Sequence, residues 1–438
     1  MDTNKLAHIV TQLQAFIKNT TTVEKYRKNK VDFSRASKLG FENTVYLTLY
    51  RMKGTMAAEL YNQLTLNDLE PVTDSGFSQA RYKIKSDLFA NMHALLLECL
   101  ETEDLLTASR FMGYKIHAVD GTKLRLPNTQ ALQGHFGAHQ GGSTATPTYS
   151  AMCLMMCLYD VRNHYLLRTA IEDIKTGEMT VAKNWVEAFD SQAITLFDRG
   201  YASAFLCHQL LAHKKPFVIR VAVGFNNIIK KFVASDETDS ILTFDVVETD
   251  APLCVTKDIP KGTTVQVRAV KIELPTGETE VLLTSLLDKK TFTTTVLSQL
   301  YQMRWGIETA YDTLKNKFLI MCFSGLKPEA IYQDIYATLL MHNFQQLFIN
   351  EAQVAVNKET TKCKYPYKVN ISVATGIFKH QIIPLFLAEK PQIIIQQIIK
   401  IFTQERVPVR RDKKPPPRKK SKSKNRNLTT QTNFKRPG

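Results

Sequence analysis

Three acidic residues stand far apart in the chain, each where secondary structure would deliver it to a common point. In Ile116-His-Ala-Val-Asp-Gly-Thr-Lys-Leu-Arg-Leu-Pro127 an apolar run leads into Asp120 and Gly121. In Ile194-Thr-Leu-Phe-Asp-Arg-Gly-Tyr-Ala-Ser203 a second run leads into Asp198, with Arg199 and Gly200 behind it. Both read as apolar strand, then Asp, then turn, which presents a carboxylate at a sheet edge. Glu308 lies in Tyr301-Gln-Met-Arg-Trp-Gly-Ile-Glu-Thr-Ala-Tyr-Asp-Thr-Leu-Lys315, whose composition predicts one helix with Gly306 as its sole breaker. Carboxylates gathered in this way are hard oxygen donors of the kind that Mg²⁺ and Mn²⁺ take. Singly, an Asp at a strand end is more often a turn or helix-cap residue.

The third segment shifts that balance. At about 100° per residue, Tyr301, Arg304, Glu308 and Lys315 fall within roughly 60° of one another and form a single polar stripe. The Arg304/Glu308 spacing is also that of an i,i+4 pair, which by itself stabilises a helix by only about 0.2–0.5 kcal/mol. Asp312 shares the stripe and competes as a ligand.

The Tyr-x2-Arg-x3-Glu-x6-Lys spacing of Tyr301, Arg304, Glu308 and Lys315 resembles the signature of the bacterial insertion-sequence-four family of DDE transposases. Val119-Asp120-Gly121-Thr122 and Asp198-Arg199-Gly200-Tyr201 match the family's two upstream motifs in order and flavour, and the likeness extends over roughly residues 30–350. The resemblance implies an α/β fold: an RNase H-like mixed sheet flanked by helices, with a β-rich insertion and an N-terminal helical domain. It implies a site for two Mg²⁺ (or Mn²⁺) ions about 3.5–4 Å apart, Asp120 bridging both and Asp198 and Glu308 each completing one. Arg304 and Lys315 would then contact the terminal phosphates of the DNA, Tyr301 the end nucleotides, and Arg199 the strand-end phosphates beside Asp198; the planar fork of Arg suits this. The partner implied is double-stranded DNA, as element ends and target, bound by a homodimer.

The elements that must position these residues divide the chain. Residues 1–105 predict a helical DNA-binding domain, with apolar residues three and four apart in Leu6–Ile17, Phe41–Met52 and Met56–Leu64. Within it, Thr73–Phe89 reads as a capped helix carrying Arg81, Lys83 and Lys85, like the second half of a helix-turn-helix. A solvated basic face on a helical bundle fits that segment nearly as well. Strand signals from Phe111 place the first part of a catalytic core at 106–215, a β-rich insertion at 216–290, and the second part of the core, with the Glu308 helix, at 291–350. A C-terminal helical region (351–405) follows, in which Gln381–Phe402 reads as core or subunit contact, and then a basic disordered tail (406–438).

Bulk properties agree with a large intracellular protein, expected in the cytoplasm at the nucleoid. The 438 residues suggest two or three units, and no apolar run nears the roughly 18 residues of a membrane span. Residues 410–438 hold 12 Lys and Arg against one acid, so +11 of the net +16 lies there, the footprint of phosphate contact or of a solubilising tail. The seven cysteines are odd and scattered, which fits reduced thiols; Cys153 and Cys157 lie in the apolar run 151–158 and read as strand core. Gly134–Gly142 holds two histidines but lacks a phosphate-loop spacing, and reads as a flexible loop. Two rival readings share these features: an RNase H-like nuclease without strand transfer, and an inactive, domesticated DNA-binding protein. The intact acidic triad counts against the latter.

Overall fold

The computed structural model describes residues 3–35, 37–50, 54–106, 109–142, 147–246, 259–273 and 277–410. The expected basic tail falls almost wholly outside them. Arg406–Pro408, placed in that tail by the sequence, is a short strand, β11, antiparallel to β10 (Tyr367–Val369). The chain divides into two compact units, Leu106–Leu124 with Cys153–Tyr311, and Met1–Leu105 with Arg125–Met152 and Asp312–Gly438.

The second of these is mainly helical. Its helices include α1 (Thr3–Lys18), α2 (Thr20–Tyr26), α3 (Phe41–Leu49), α4 (Met56–Leu66), α5 (Asp74–Arg81), α6 (Asp87–Thr102) and α7 (Gln130–Phe136), and three more span Pro328–Glu359, Ile371–Leu387 and Gln392–Gln404. In α1, Leu6, Ile9, Val10, Leu13 and Ile17 recur at three- and four-residue spacing and are all buried. Helix α4 is opened by Thr55, whose hydroxyl accepts from the Ala58 amide. Gly134–Gly142, expected as a loop, instead gives the end of α7 and strand β2 (Ala138–Gly142), paired with Pro147–Ala151.

The segment 73–89 is not one helix. Thr73 caps α5 as expected, accepting from the Gly76 amide. The helix stops after Arg81, Ile84 bridges to Arg27, and α6 starts only at Asp87. Arg81 is 2 % exposed, ion-paired with Asp334 at 2.9 Å and hydrogen-bonded to Gln333 and Ser324. Its expected role as a DNA-facing cation is therefore corrected, because its guanidinium is consumed inside the unit. Lys83 and Lys85 are exposed.

The other unit carries the acids and most of a nine-stranded sheet of order β2-β3-β1-β5-β6-β9-β8-β7, with β4 paired to β3. The strands are β1 (Lys115–Arg125), β3 (Pro147–Asp160), β4 (Tyr165–Asp173), β5 (Ala193–Phe197), β6 (Phe217–Val221), β7 (Asp239–Asp245), β8 (Thr264–Glu273) and β9 (Thr279–Thr284). Strand β5 runs parallel to both β1 and β6. All five of its residues are buried, as expected of a central strand covered on both faces. Helices α8 (Glu178–Asn184), α9 (Ala204–Ala212) and α10 (Asn227–Ala234) contribute to the unit, and Val181, Leu206 and Ile229 pack with Val119, Phe197 and Ile219 in one apolar cluster.

The segment 216–290, expected as a β-rich insertion, extends the sheet: β6 pairs with β5, β9 pairs with β6, and β8 and β7 continue it. The ladder groups of β6 would be unsatisfied at a buried edge, and β9 satisfies them. Cys153 and Cys157 are core residues of β3, and burial pushes their thiols up to about 12 and about 11, far from thiolate character.

Candidate active site

Asp120 does not end a strand. Strand β1 continues through Asp120 and Gly121 to Arg125, and β3 and β5 flank it, so the residue is central, not at an edge. The ladder to β5 runs in register from Lys115↔Ala193 to Val119↔Phe197, so Asp120 and Asp198 are the next residues on two neighbouring parallel strands. Adjacent strands lie about 4.8 Å apart, so the two aspartates follow the last paired residues of neighbouring strands. After Asp198 the chain turns into a short 3-10 helix, Arg199–Tyr201, as the sequence implied.

The helix carrying the third acid is two helices. Helix α11 (Thr294–Gln302), capped by Thr293, ends at Tyr301–Gln302; α12 (Trp305–Asn316) begins afterwards. Between them the amides of Met303, Arg304, Gly306 and Ile307 each bond to the carbonyl three residues back, a tightened 3-10 connection. Tyr301 thus belongs to one helix and Glu308 to the first turn of the next, where the helix dipole favours a carboxylate. Gly306 allows this seating: a Cβ there would lie 2.9 Å from Val161 Cγ1. The Tyr311 hydroxyl donates to the Asp120 carbonyl at 2.6 Å, tying α12 to β1.

Each of the expected acids has charged company. Asp198 Oδ1 accepts from Arg220 at 2.7 Å and from the Tyr301 hydroxyl at 3.4 Å. Glu308 Oε1 accepts from Arg304 at 2.7 Å. Both guanidiniums lie about one ring-width from Tyr301, 5.9 Å from its centroid, and Arg304 also sits 5.4 Å from the Trp305 ring. Burial pushes the Asp120 carboxyl up to about 7; the Gly121 amide and Arg304 oppose the rise, and Glu178 and Glu308 add to it. Burial acts upward on Asp198 too, but the Arg199 amide, Arg220 and Arg304 outweigh it and hold that group below the ordinary carboxylate range.

Electrostatically, then, Asp120, Asp198 and Glu308 share one neighbourhood centred on Arg304. They do not form a ready-made ligand set: among the described residues no three His, Cys, Asp or Glu side chains are close enough to hold a metal ion. Asp198 is held by Arg220 and Glu308 by Arg304. Arg304 is 3 % exposed and Tyr301 6 %, and their polar ends meet internal partners, Glu308 and Asp198. Arg199 is exposed and Lys315 half-buried on α12. Asp312 is exposed and takes a hydrogen bond from Asn316.

Three participants escaped the sequence reading. Arg220 interrupts the apolar strand Phe217-Val-Ile-Arg-Val221, a visible signal, and also binds Glu280 at 2.6 Å. Tyr201 and Glu178 were not distinguishable locally, although Tyr201 sits within the second motif.

A family model described as "Transposase DDE domain" matches residues 112–344, which takes in all three acids. The chain belongs to the DDE transposase family. A relative within reach of curated proteins is the transposase InsG for insertion sequence element IS4 of Escherichia coli (strain K12), 24 % identical over 310 residues, 69 % of this chain and 66 % of that protein. The match thus spans just under two thirds of that transposase's length. Among solved structures, the piggyBac transposase synaptic complex with hairpin DNA aligns over 89 % of this chain and 84 % of that one, at 11 % identity and a TM-score of 0.47, a likeness too slight to carry an argument. Among the described residues no helix of this DDE transposase is long and apolar enough to cross a membrane.

Proposed function

We propose that this chain binds the ends of an insertion sequence as double-stranded DNA and catalyses divalent-metal-dependent strand cleavage and strand transfer, with Asp120, Asp198 and Glu308 as the metal ligands of an RNase H-like core. The observation that carries the reading is the register of β1 on β5, which makes Asp120 and Asp198 the next residues along two adjacent parallel strands. The α12 tether through Tyr311 adds Glu308 to the same neighbourhood.

The donor set fits Mg²⁺ or Mn²⁺: it is all carboxylate oxygen, and Asp120 is desolvated among acids, a position that a bound dication relieves. Two such ions supply Lewis-acid stabilisation of the attacking and leaving oxygens of an in-line phosphoryl transfer. Within the chain, Arg304 and Arg220 hold Glu308 and Asp198 as counter-ions and must yield them to become ligands. Once released, each guanidinium carries a planar fork suited to phosphate oxygens. Arg199, exposed beside Asp198, and Lys315 serve the flanking phosphates. Lys83, Lys85 and the basic residues of 410–438 add sequence-independent DNA affinity that falls as salt rises. Cutting paired element ends in concert calls for a homodimer on DNA, working at the nucleoid.

The test is direct. Purified protein incubated with Mg²⁺ and DNA carrying the flanks of its own gene is expected to release specific 3′ ends and join them to target DNA. Release without joining would leave only a nuclease, and no cleavage would overturn the reading.

A further inference from the structure

Neither acidic motif contains Glu178, yet both point to it. It lies in the first turn of α8, half-buried. Its carboxyl is seated over Gly121: a Cβ on that residue would come within 2.6 Å of Glu178 Cδ and 2.7 Å of Oε1. A side chain at 121 would displace that carboxyl, and the glycine after Asp120 leaves room for it. From the other motif, the Tyr201 hydroxyl donates to Glu178 Oε2 at 3.0 Å. Tyr201 is itself buried against Met156, so the donor is fixed in place. Two residues whose presence the triad alone does not explain thus converge on one carboxylate.

Such an arrangement is costly unless a cation offsets it, because two carboxylates at close quarters in a partly desolvated site repel. No arginine or lysine is paired with Glu178 among the ion pairs of the described residues, unlike Asp198 and Glu308. We propose that Glu178 is a fourth carboxylate of the divalent-ion site, held beside Asp120 by the Gly121 gap and the Tyr201 hydroxyl. The inference rests on the metal-dependent reading of Asp120. It assigns Gly121 and Tyr201 as positioning residues that act through Glu178.

Mn²⁺ binding to the full chain, followed by electron paramagnetic resonance without DNA, tests this apart from activity. Asp120→Asn and Glu178→Gln are each expected to weaken Mn²⁺ binding by about tenfold or more, and Tyr201→Phe by a smaller factor in the same direction. Glu178→Gln keeps the acceptor for Tyr201, so its metal-free unfolding temperature is expected to equal or exceed that of the parent, while the upward shift on adding Mn²⁺ shrinks. A purely structural Glu178 would do the reverse, lowering the metal-free value and leaving the shift intact. Should Glu178→Gln bind Mn²⁺ as the parent does while Asp120→Asn does not, the fourth ligand is refuted and the metal site stands. Unchanged binding in Asp120→Asn would remove the metal site itself, and this inference with it. If Glu178→Gln did not fold, Tyr201→Phe would decide, since unaltered Mn²⁺ affinity there overturns the positioning.

Discussion

Each of the two units buries an arginine against an acid, and the two pairs are built differently. Arg81 in the helical unit meets Asp334 at 2.9 Å with both side chains almost wholly buried, and Gln333, Ser324 and the Ala330 carbonyl take its remaining donors. Asp334 is satisfied in turn by the Ser324 amide and hydroxyl. Arg304 in the catalytic unit binds Glu308 at 2.7 Å, but Glu308 is 39 % exposed and the buried Arg304 Nε has no hydrogen-bond partner. A saturated pair is a structural element, since removing either partner strands a buried charge. An unsaturated pair with one partner open to solvent can be exchanged, which is what a site that must accept cations and phosphate requires.

That contrast can be broken in order of expected effect. Glu308→Gln is expected to cut DNA cleavage by about a thousandfold or more while end binding persists, measured by gel assays of cleavage and of mobility shift. Near-parent cleavage would remove Glu308 from the chemistry. Arg81→Ala is expected to destabilise the fold by about 3–5 kcal/mol in chemical denaturation, because Asp334 is left buried and charged. Arg304→Ala, by contrast, is expected to leave the fold largely intact and to lower activity. Equal stability losses in the two variants would erase the distinction.

The next effect depends on pH. The folded-state value of Asp120, about 7, lies above its unfolded one, so its burial costs nothing in acid and costs progressively more as pH rises from about 4 through 7. Metal-free Asp120→Asn is therefore expected to match the parent near pH 4 and to exceed it by about 4 kcal/mol at pH 8, read from thermal melts. A gap that narrows with rising pH would contradict the assignment. For the same reason Mg²⁺ affinity of the parent is expected to fall below pH 7, since the ion competes with a proton. The smallest effect concerns Arg220. Its replacement by Met is expected to raise the Asp198 carboxyl toward the ordinary range in an NMR titration, because one of the groups holding it down is gone.

The sequence made the three acids legible because each is framed by local pattern: apolar runs before Asp120 and Asp198, and a helical stripe around Glu308. It did not reveal that β1 runs on past Asp120, since Gly121 reads as a turn residue until Glu178 is seen lying over it. The single helix expected from 301 to 315 broke at Met303–Arg304, where the periodicity of side chains continues although the hydrogen bonds shorten. Arg81 looked like a surface cation because the residues that bury it lie about 250 positions away, at 333 and 334, and no local signal connects them. Arg220 was within reach, a lone cation in an apolar strand. Glu178 was not, because an acid at a helix start is ordinarily just favourable to the dipole.

The matched positions of Asp120, inside β1, and Asp198, just past β5, have a consequence for what the gene can tolerate. Side chains on a strand alternate between faces, so one added or deleted residue upstream of either aspartate within its strand turns that carboxylate to the opposite side of the sheet, and two bring it back. Length variation in these strands should therefore survive selection only in even steps.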